Sequence, residues 1–353
     1  MLLVLALAAL LWGIGVVLGL SRARRWGMVA GLLCIVIALH LILPDGHVVR
    51  EATGQQAALW VAILLVGIAV GAYGFLLSGL RSRAQTGTPD PAPQGPFSES
   101  ELERYARHIV LREIGGAGQK ALKDAAVLVV GAGGLGAPVL HYLAAAGVGT
   151  IGVIDDDVVE ATNLQRQVIH SDRKIGMPKV QSAAEAMTAL NPFVTVRPYH
   201  RRLTPEIAAE LMADYDLVLD GTDNFDTRYL VNAAAASVGV PLIAAALTQW
   251  EGQISLYHPA GGTPCYRCVF PERPEASLVP SCAEGGVLGP LPGVLGAMMA
   301  VEAVKAITGA GEGLRGRLLI YDALYAETRT MRIKPRADCP VCGGPGRGRV
   351  PDS

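Results

Sequence analysis

Hydrophobic positions follow two different patterns along this chain. Through about residue 80 they form long runs with little polar interruption: Met1 to Leu20 carries no charge, Gly27 to Pro44 ends where Pro44-Asp45-Gly46 turns the chain, and Ala52 to Leu80 is the longest. A helix of about twenty apolar residues just crosses the hydrocarbon core of a bilayer. The pattern therefore predicts three transmembrane helices, at about 2–20, 27–44 and 57–80. A helix lying on a water-soluble core would show a polar stripe, and these runs show none. A cleaved signal peptide would account only for the first run, which has no positive n-region ahead of its apolar stretch.

Beyond Phe97 short apolar runs alternate with amphipathic ones. Val127 to Val130 reads as a buried strand entering a glycine turn and then a helix to about Ala146, and Thr150 to Asp155 is a second strand. A polar segment, Asp156 to Lys179, precedes an alanine-rich helix to Leu190. Then come a strand at Val194 to Tyr199, a helix at Pro205 to Ala213, a strand at Tyr215 to Asp220, a helix at Thr227 to Val238 and a strand at Pro241 to Ala246. This alternation predicts an α/β fold: a Rossmann-like, doubly wound, mostly parallel sheet with ligands at the carboxyl ends of its strands. Strands near Gly252 to Tyr257 and Leu318 to Tyr321 and a helix near Gly293 to Ile307 complete it. Ala84 to Pro96 is rich in proline and glycine and reads as a flexible tether. Ser98 or Ser100 can cap the helix that follows, and spacing alone makes its Arg104, Tyr105, Arg107 and His108 a solvated face.

Charge sets the expected orientation. Arginines cluster at 22–25 and 81–83, whereas the loop between the second and third runs has Arg50 with Asp45 and Glu51 beside it. The positive-inside rule puts both clusters in the cytoplasm. The N-terminus is then outside, and the folded part lies on the cytoplasmic side of the inner membrane. With 353 residues, 51% hydrophobic, and a formal charge of -1, the chain can bury a full core and has no electrostatic basis for nucleic-acid binding.

Two motifs carry chemistry. In Gly131-Ala-Gly-Gly-Leu-Gly136, Gly131 allows the tight turn, Gly133 lets backbone N–H groups approach a phosphate, and Gly136 permits close helix–strand packing. Asp155 ends the next strand, where a carboxylate can take a ribose hydroxyl pair. NAD, FAD and ATP all fit these features. Cys265-Tyr-Arg-Cys268 and Cys339-Pro-Val-Cys342 form two C-x-x-C knuckles, the pattern of a structural four-thiolate zinc site; paired disulfides are disfavoured in the cytoplasm. Cys34 reads as an inert apolar filler. Cys282, in a loop without an obvious core position, is either a nucleophile or an incidental thiol.

The polar segment offers amide, guanidinium and ammonium groups suited to clamping a triphosphate. Together, Gly131 to Gly136, Asn163-Leu-Gln-Arg-Gln167, Gly176-Met-Pro-Lys179, Thr222-Asp-Asn224, Glu251-Gly-Gln253 and Cys265 to Cys268 resemble the HesA/MoeB/ThiF family. These are molybdopterin-synthase adenylyltransferases and thiamine-pathway enzymes, related to ubiquitin-activating enzymes. The resemblance covers about 98–343 and implies an adenylyltransferase domain over 98–346, with 84–97 as linker and 347–353 as tail.

It further implies that ATP with Mg²⁺ activates the C-terminal Gly-Gly carboxylate of a small ubiquitin-fold sulfur carrier, releasing pyrophosphate. Gly131, Gly133, Gly134 and Gly136 would pack against the nucleotide and Asp155 would hold the ribose. Asn163, Arg166, Gln167 and Lys179 would contact the phosphates, with Asp223 holding the metal beside Asn224. Arg107 would reach from one subunit of a homodimer into the site of the other. The region before residue 97 is an addition to the family pattern. About ten residues follow the second knuckle, so any sulfur is expected from a separate persulfide donor. A dinucleotide-dependent membrane oxidoreductase would leave Arg166, Lys179, Asp223 and the knuckles idle. A non-catalytic scaffold would not need them.

Overall fold

The computed structural model describes residues 2–54, 56–85, 95–273 and 285–343. The chain divides into two compact units, Met1–Gln94 and Gly95–Ser353.

The first unit is helical: α1 (Leu2–Val17), α2 (Arg22–Ile42), the short α3 (Val48–Thr53) and α4 (Ala57–Gln85). Val4, Val36 and Trp60 are its buried contact points, and Trp60 donates its indole N–H to the Thr53 carbonyl at 3.1 Å. Most of its large apolar side chains face outward, among them Leu10, Ile35, Leu41, Leu65, Val66 and Val70. Arg24–Ile42 and Ala57–Gly74 are long and apolar enough to cross a membrane. α1 is shorter than expected: its 16 residues span about 24 Å at 1.5 Å per residue, less than a typical hydrocarbon core. Gly19, with φ +65, turns the chain soon after α1. α4 continues through Gln85, past the point where the tether was expected to begin; residues 86–94 lie outside the described residues.

The second unit begins with α5 (Glu99–Ile109) and α6 (Gly115–Asp124), then β1 (Ala126–Val130), α7 (Gly136–Ala146) and β2 (Thr150–Ile154). α8 (Lys179–Leu190), β3 (Thr195–Tyr199), α9 (Pro205–Ala213), β4 (Leu217–Asp220), α10 (Phe225–Val238) and β5 (Leu242–Leu247) continue the alternation. β6 (Glu251–Tyr257), α11 (Tyr266–Val269), α12 (Pro290–Thr308), β7 (Arg317–Asp322) and β8 (Glu327–Arg332) complete it. The eight strands form one sheet in the order β3-β2-β1-β4-β5-β6-β7-β8. The first five are parallel; the last three pair antiparallel.

Period-two alternation gives each central strand two buried faces. Val127 and Val129 pack on one side with Leu140, Met187 and Leu295. Leu128 and Val130 pack on the other with Met212, Val231 and Tyr266. α12 is as apolar as a membrane span, yet Leu291, Leu295 and Met299 are buried in this core.

Two elements escape the sequence reading. α6 begins with a glycine-rich stretch of poor helix propensity and forms because Leu122 is fully buried. β8 has every side chain exposed, so it has no apolar period and is held by backbone pairing to β7. The expected solvated face of α5 also fails at one position. Tyr105 is 3% exposed and accepts a hydrogen bond from Asn191 Nδ2 at 2.8 Å. Arg104 donates to the Leu190 carbonyl at 2.9 Å, and a Ser98–Glu101 capping box starts the helix. Only the outer side of α5, which carries Arg107, is exposed.

Candidate functional site

β1 pairs with β2 on one side and β4 on the other, so successive crossovers leave in opposite directions and open a crevice at the carboxyl ends. There lies a cleft of about 720 Å³, a volume suited to a small molecule.

Its floor is the glycine turn. Gly131 has φ +94, and its N–H donates to the Ile154 carbonyl at 2.9 Å. A Cβ on Gly136 would sit 2.0 Å from the Gly131 carbonyl oxygen, so no other residue fits. α7 starts without a side-chain cap; its Ala137 N–H is taken by the Gly133 carbonyl at 2.8 Å and Pro138 has none, so an anion there would be met by the N–H groups of the turn that precedes it. The Ala132 N–H donates to Asp155 Oδ2 at 2.7 Å, and the Asp157 N–H donates to Asp155 Oδ1 at 2.8 Å. Burial raises the Asp155 carboxyl above the usual range; the two N–H donors and Lys179 oppose the rise.

The cations enter from the polar segment and α8. Lys179, the first residue of α8, is 5% exposed, and its ammonium lies 2.7 Å from Asp157 Oδ2. Arg166 donates to Asn163 Oδ1 at 3.1 Å. Gln167 is buried, and its Oε1 has no protein partner.

Opposite them, the β4 end carries the loop Gly221–Asn224. Buried Asp220 accepts from the Thr222 N–H at 2.9 Å and the Thr222 hydroxyl at 2.7 Å. Arg228 donates to the Thr222 carbonyl and, at 2.7 Å, to the Ala245 carbonyl. Asp223 is thereby left exposed at the cleft, while Asn224 caps α10 by accepting from the Thr227 N–H at 2.9 Å.

Among the residues expected at the site, Gly131, Gly133, Gly134, Asp155, Arg166, Gln167, Lys179, Asp223 and Asn224 line this one cleft. Gly136 lies beneath it, and Asn163 is the partner of Arg166. Arg107 is not among the lining residues, and Cys282 lies outside the described residues. Three residues were missed. Asp157 was visible in the run Asp155-Asp-Asp157 without any sign that it pairs with Lys179. Arg228, four residues beyond Asn224, and Asp220 shape the loop through backbone contacts that no spacing reveals.

The four knuckle cysteines converge. Cys265 Sγ lies 3.8 Å from Cys268 Sγ and 3.6 Å from Cys339 Sγ, and Cys268 Sγ lies 3.3 Å from Cys342 Sγ. A tetrahedron with metal–sulfur bonds of about 2.3 Å has edges of about 3.8 Å, so the donor set fits a thiophilic cation. Burial pushes the Cys265 thiol up to about 11; four thiolates at this spacing need a positive charge among them. Tyr266 N–H donates to Asn232 Oδ1 at 2.8 Å, tying the first knuckle to α10. None of the four cysteines lines the cleft, whereas Tyr266, between the first two, does.

The description "ThiF family" matches residues 105–341. A protein of Thermus thermophilus named sulfur carrier protein adenylyltransferase is 50% identical over 251 residues, which are 70% of this chain and 93% of that protein. The SAMP-activating enzyme E1 of Haloferax volcanii is 49% identical over 253 residues, 72% of this chain and 93% of that one. Among solved structures, E. coli MccB with ATP superposes with a TM-score of 0.59 at 25% identity, covering 68% of this chain and 75% of that one.

A cluster that holds a metal predicts that serine at Cys339 lowers both the metal content found by elemental analysis of the purified protein and its unfolding midpoint, because thiolate coordination contributes folding energy. Full metal content in the variant would mean that the cluster is not the seat of the metal.

Proposed function

The chain belongs to the ThiF family and is an ATP-dependent adenylyltransferase, and from this we propose that it activates the C-terminal Gly-Gly carboxylate of a small ubiquitin-fold sulfur-carrier protein. The observation that carries the reading is the convergence of the glycine turn, Arg166, Lys179 and Asp223 on one cleft. A carrier carboxylate is already ionised and needs no general base. Its oxygen attacks the α-phosphorus, the bond from that phosphorus to the bridging oxygen breaks, and pyrophosphate leaves with the electron pair.

Arg166 and Lys179 meet the charge that develops, with Lys179 shared between Asp157 and the phosphates. Asp223, exposed at the cleft, would hold Mg²⁺, and the ion would supply positive charge to offset that of the departing pyrophosphate. Asn163 orients Arg166. Gln167 supplies an unspent amide, and Asp155 remains open to a ribose hydroxyl. The metal of the cysteine cluster is zinc in this reading, and its role is structural. A second reading keeps the same chemistry on a thiamine-pathway carrier or another small protein or peptide.

Arg107 lies on the outer side of a helix fixed to its own core by Tyr105 and Arg104. That placement fits an arm presented to the partner in a homodimer. The first unit, with apolar side chains outward on all its long helices, is read as a membrane anchor of the inner membrane that leaves the enzymatic unit in the cytoplasm.

ATP–pyrophosphate exchange should appear when the detergent-solubilised protein meets its carrier. Asp223→Ala should abolish exchange, and Lys179→Ala should lower it by about 10²- to 10³-fold. Exchange with no Gly-Gly-ending protein, together with tight NAD binding, would sink the reading.

Mixing Arg107→Ala with Lys179→Ala chains should restore about a quarter of wild-type exchange, since half of randomly paired dimers then carry one intact site. No recovery would place Arg107 outside the partner's site.

A reporter fused after Ser82 should be cytoplasmic and one at Gly46 external. The opposite result would overturn the orientation and deny the site its ATP.

A further inference from the structure

We propose that His170 is a positioning residue of the nucleotide site, locking the Ala132 peptide of the glycine turn to the first turn of α8 so that the turn and Lys179 keep one spacing. The inference rests on the functional reading above. His170 Nε2 lies 2.9 Å from the Ala132 carbonyl oxygen. A carbonyl only accepts, so Nε2 carries the proton and Nδ1 is left as the acceptor. Nδ1 lies 2.9 Å from Ser182 Oγ, whose hydroxyl donates to it. His170 is 7% exposed and Ser182 is fully buried, so neither partner is readily replaced by solvent.

The preceding peptide is held as well, its Ala132 N–H donating to Asp155. The two peptide planes that flank the Ala132 Cα are thus each anchored, and the next two residues, Gly133 and Gly134, line the cleft. Ser182 lies three positions beyond Lys179, on a neighbouring part of the α8 surface. The bridge therefore runs from the phosphate-facing turn to the helix that carries the ammonium. Burial holds the imidazole below its usual pKa against the pull of the Ala132 carbonyl, and Lys179 and Lys174 act in the same sense as burial; the neutral tautomer is the one the geometry uses. His170 is not among the residues lining the cleft, so its influence passes through the turn.

Two near-isosteric variants separate the halves of the bridge. Glutamine sets an amide nitrogen where Nε2 stands and keeps the donor to Ala132. Asparagine sets an amide oxygen where Nδ1 stands, keeps the Ser182 bond and leaves the Ala132 carbonyl without its donor. Equilibrium ATP binding is measured on the full-length protein in detergent without carrier, followed by KM for ATP and for carrier. His170→Gln, which loses the Ser182 bond, should bind ATP about threefold more weakly than wild type, and His170→Asn about tenfold more weakly, the scale of one buried carbonyl left unpaired. The carrier KM should stay within about twofold in both.

Equal loss in the two variants, or a carrier KM that moves with the ATP KM, would overturn the proposal. If both histidine variants unfold, Ser182→Ala decides: a loss of ATP affinity of about threefold supports the bridge, and unchanged affinity overturns it. A wild-type chain that binds no ATP would overturn the functional reading together with this one, whereas ATP binding weakened equally by the pair overturns this one alone.

Discussion

Contact without clearance between β1 and α7 is the constraint on which the rest of the site depends. The Gly131 carbonyl stands where a Cβ of residue 136 would be, so the helix begins directly over the strand end. Gly221 packs against the same helix start, where a Cβ would lie 3.1 Å from the Gly136 nitrogen, and with its N–H on the Val130 carbonyl at 3.0 Å it brings the Asp223 loop alongside. One steric arrangement therefore sets both the floor of the cleft and the wall opposite. Any side chain there would pry the helix from the sheet before it touched a ligand.

Electrostatics then divides labour among the carboxylates. Asp155 and Asp220 accept backbone N–H groups, which stiffens the two loops while Asp155 still lines the cleft. Asp157 neutralises Lys179 across a short gap while remaining open to water itself, so the ammonium is oriented without being sealed off. Asp223, the carboxylate at the tip of its loop, faces the cleft. Buried charges and polar groups are tolerated only when partnered, and these pairings do the holding that lets the exposed groups act. The cysteine cluster performs the same service at larger scale. It joins Cys265 and Cys268 to Cys339 and Cys342, which lie 74 residues further on, and fastens the end of the described chain to α10 through the Tyr266–Asn232 contact.

Apolar composition meets two different fates here. α2, α4 and α12 are all long and hydrophobic enough for a bilayer. α12 finds a sheet to cover and buries Leu295 and Met299 there. Among the described residues, the buried apolar contacts of α2 and α4 centre on Val36 and Trp60, and many of their other apolar side chains, such as Ile35, Leu41, Leu65 and Val70, face out. Hydrophobicity drives burial without specifying the burying phase. What separates the helices is the number of partners that the topology offers each.

The local periodicities were legible because they are local. Buried strands at β1 and β4, the glycine turn, and the paired knuckles each follow from neighbouring residues, and so did the family resemblance that grouped Arg166, Lys179 and Asp223 before their meeting could be seen. The sequence by itself determined which residues carry charge, thiol or conformational freedom, and the strand–helix alternation that places them at strand ends. Only the tertiary structure decided who pairs with whom: Lys179 with Asp157, Arg228 with the loop it supports, Tyr105 inward and Arg107 outward on a helix whose spacing looked uniformly polar, and β8 as a strand with no apolar face. The reason is physical. Periodicity records how a segment meets water, whereas these choices are made by hydrogen bonds and steric contacts between segments far apart in the chain, whose partners have no address in the sequence until the sheet order brings them together.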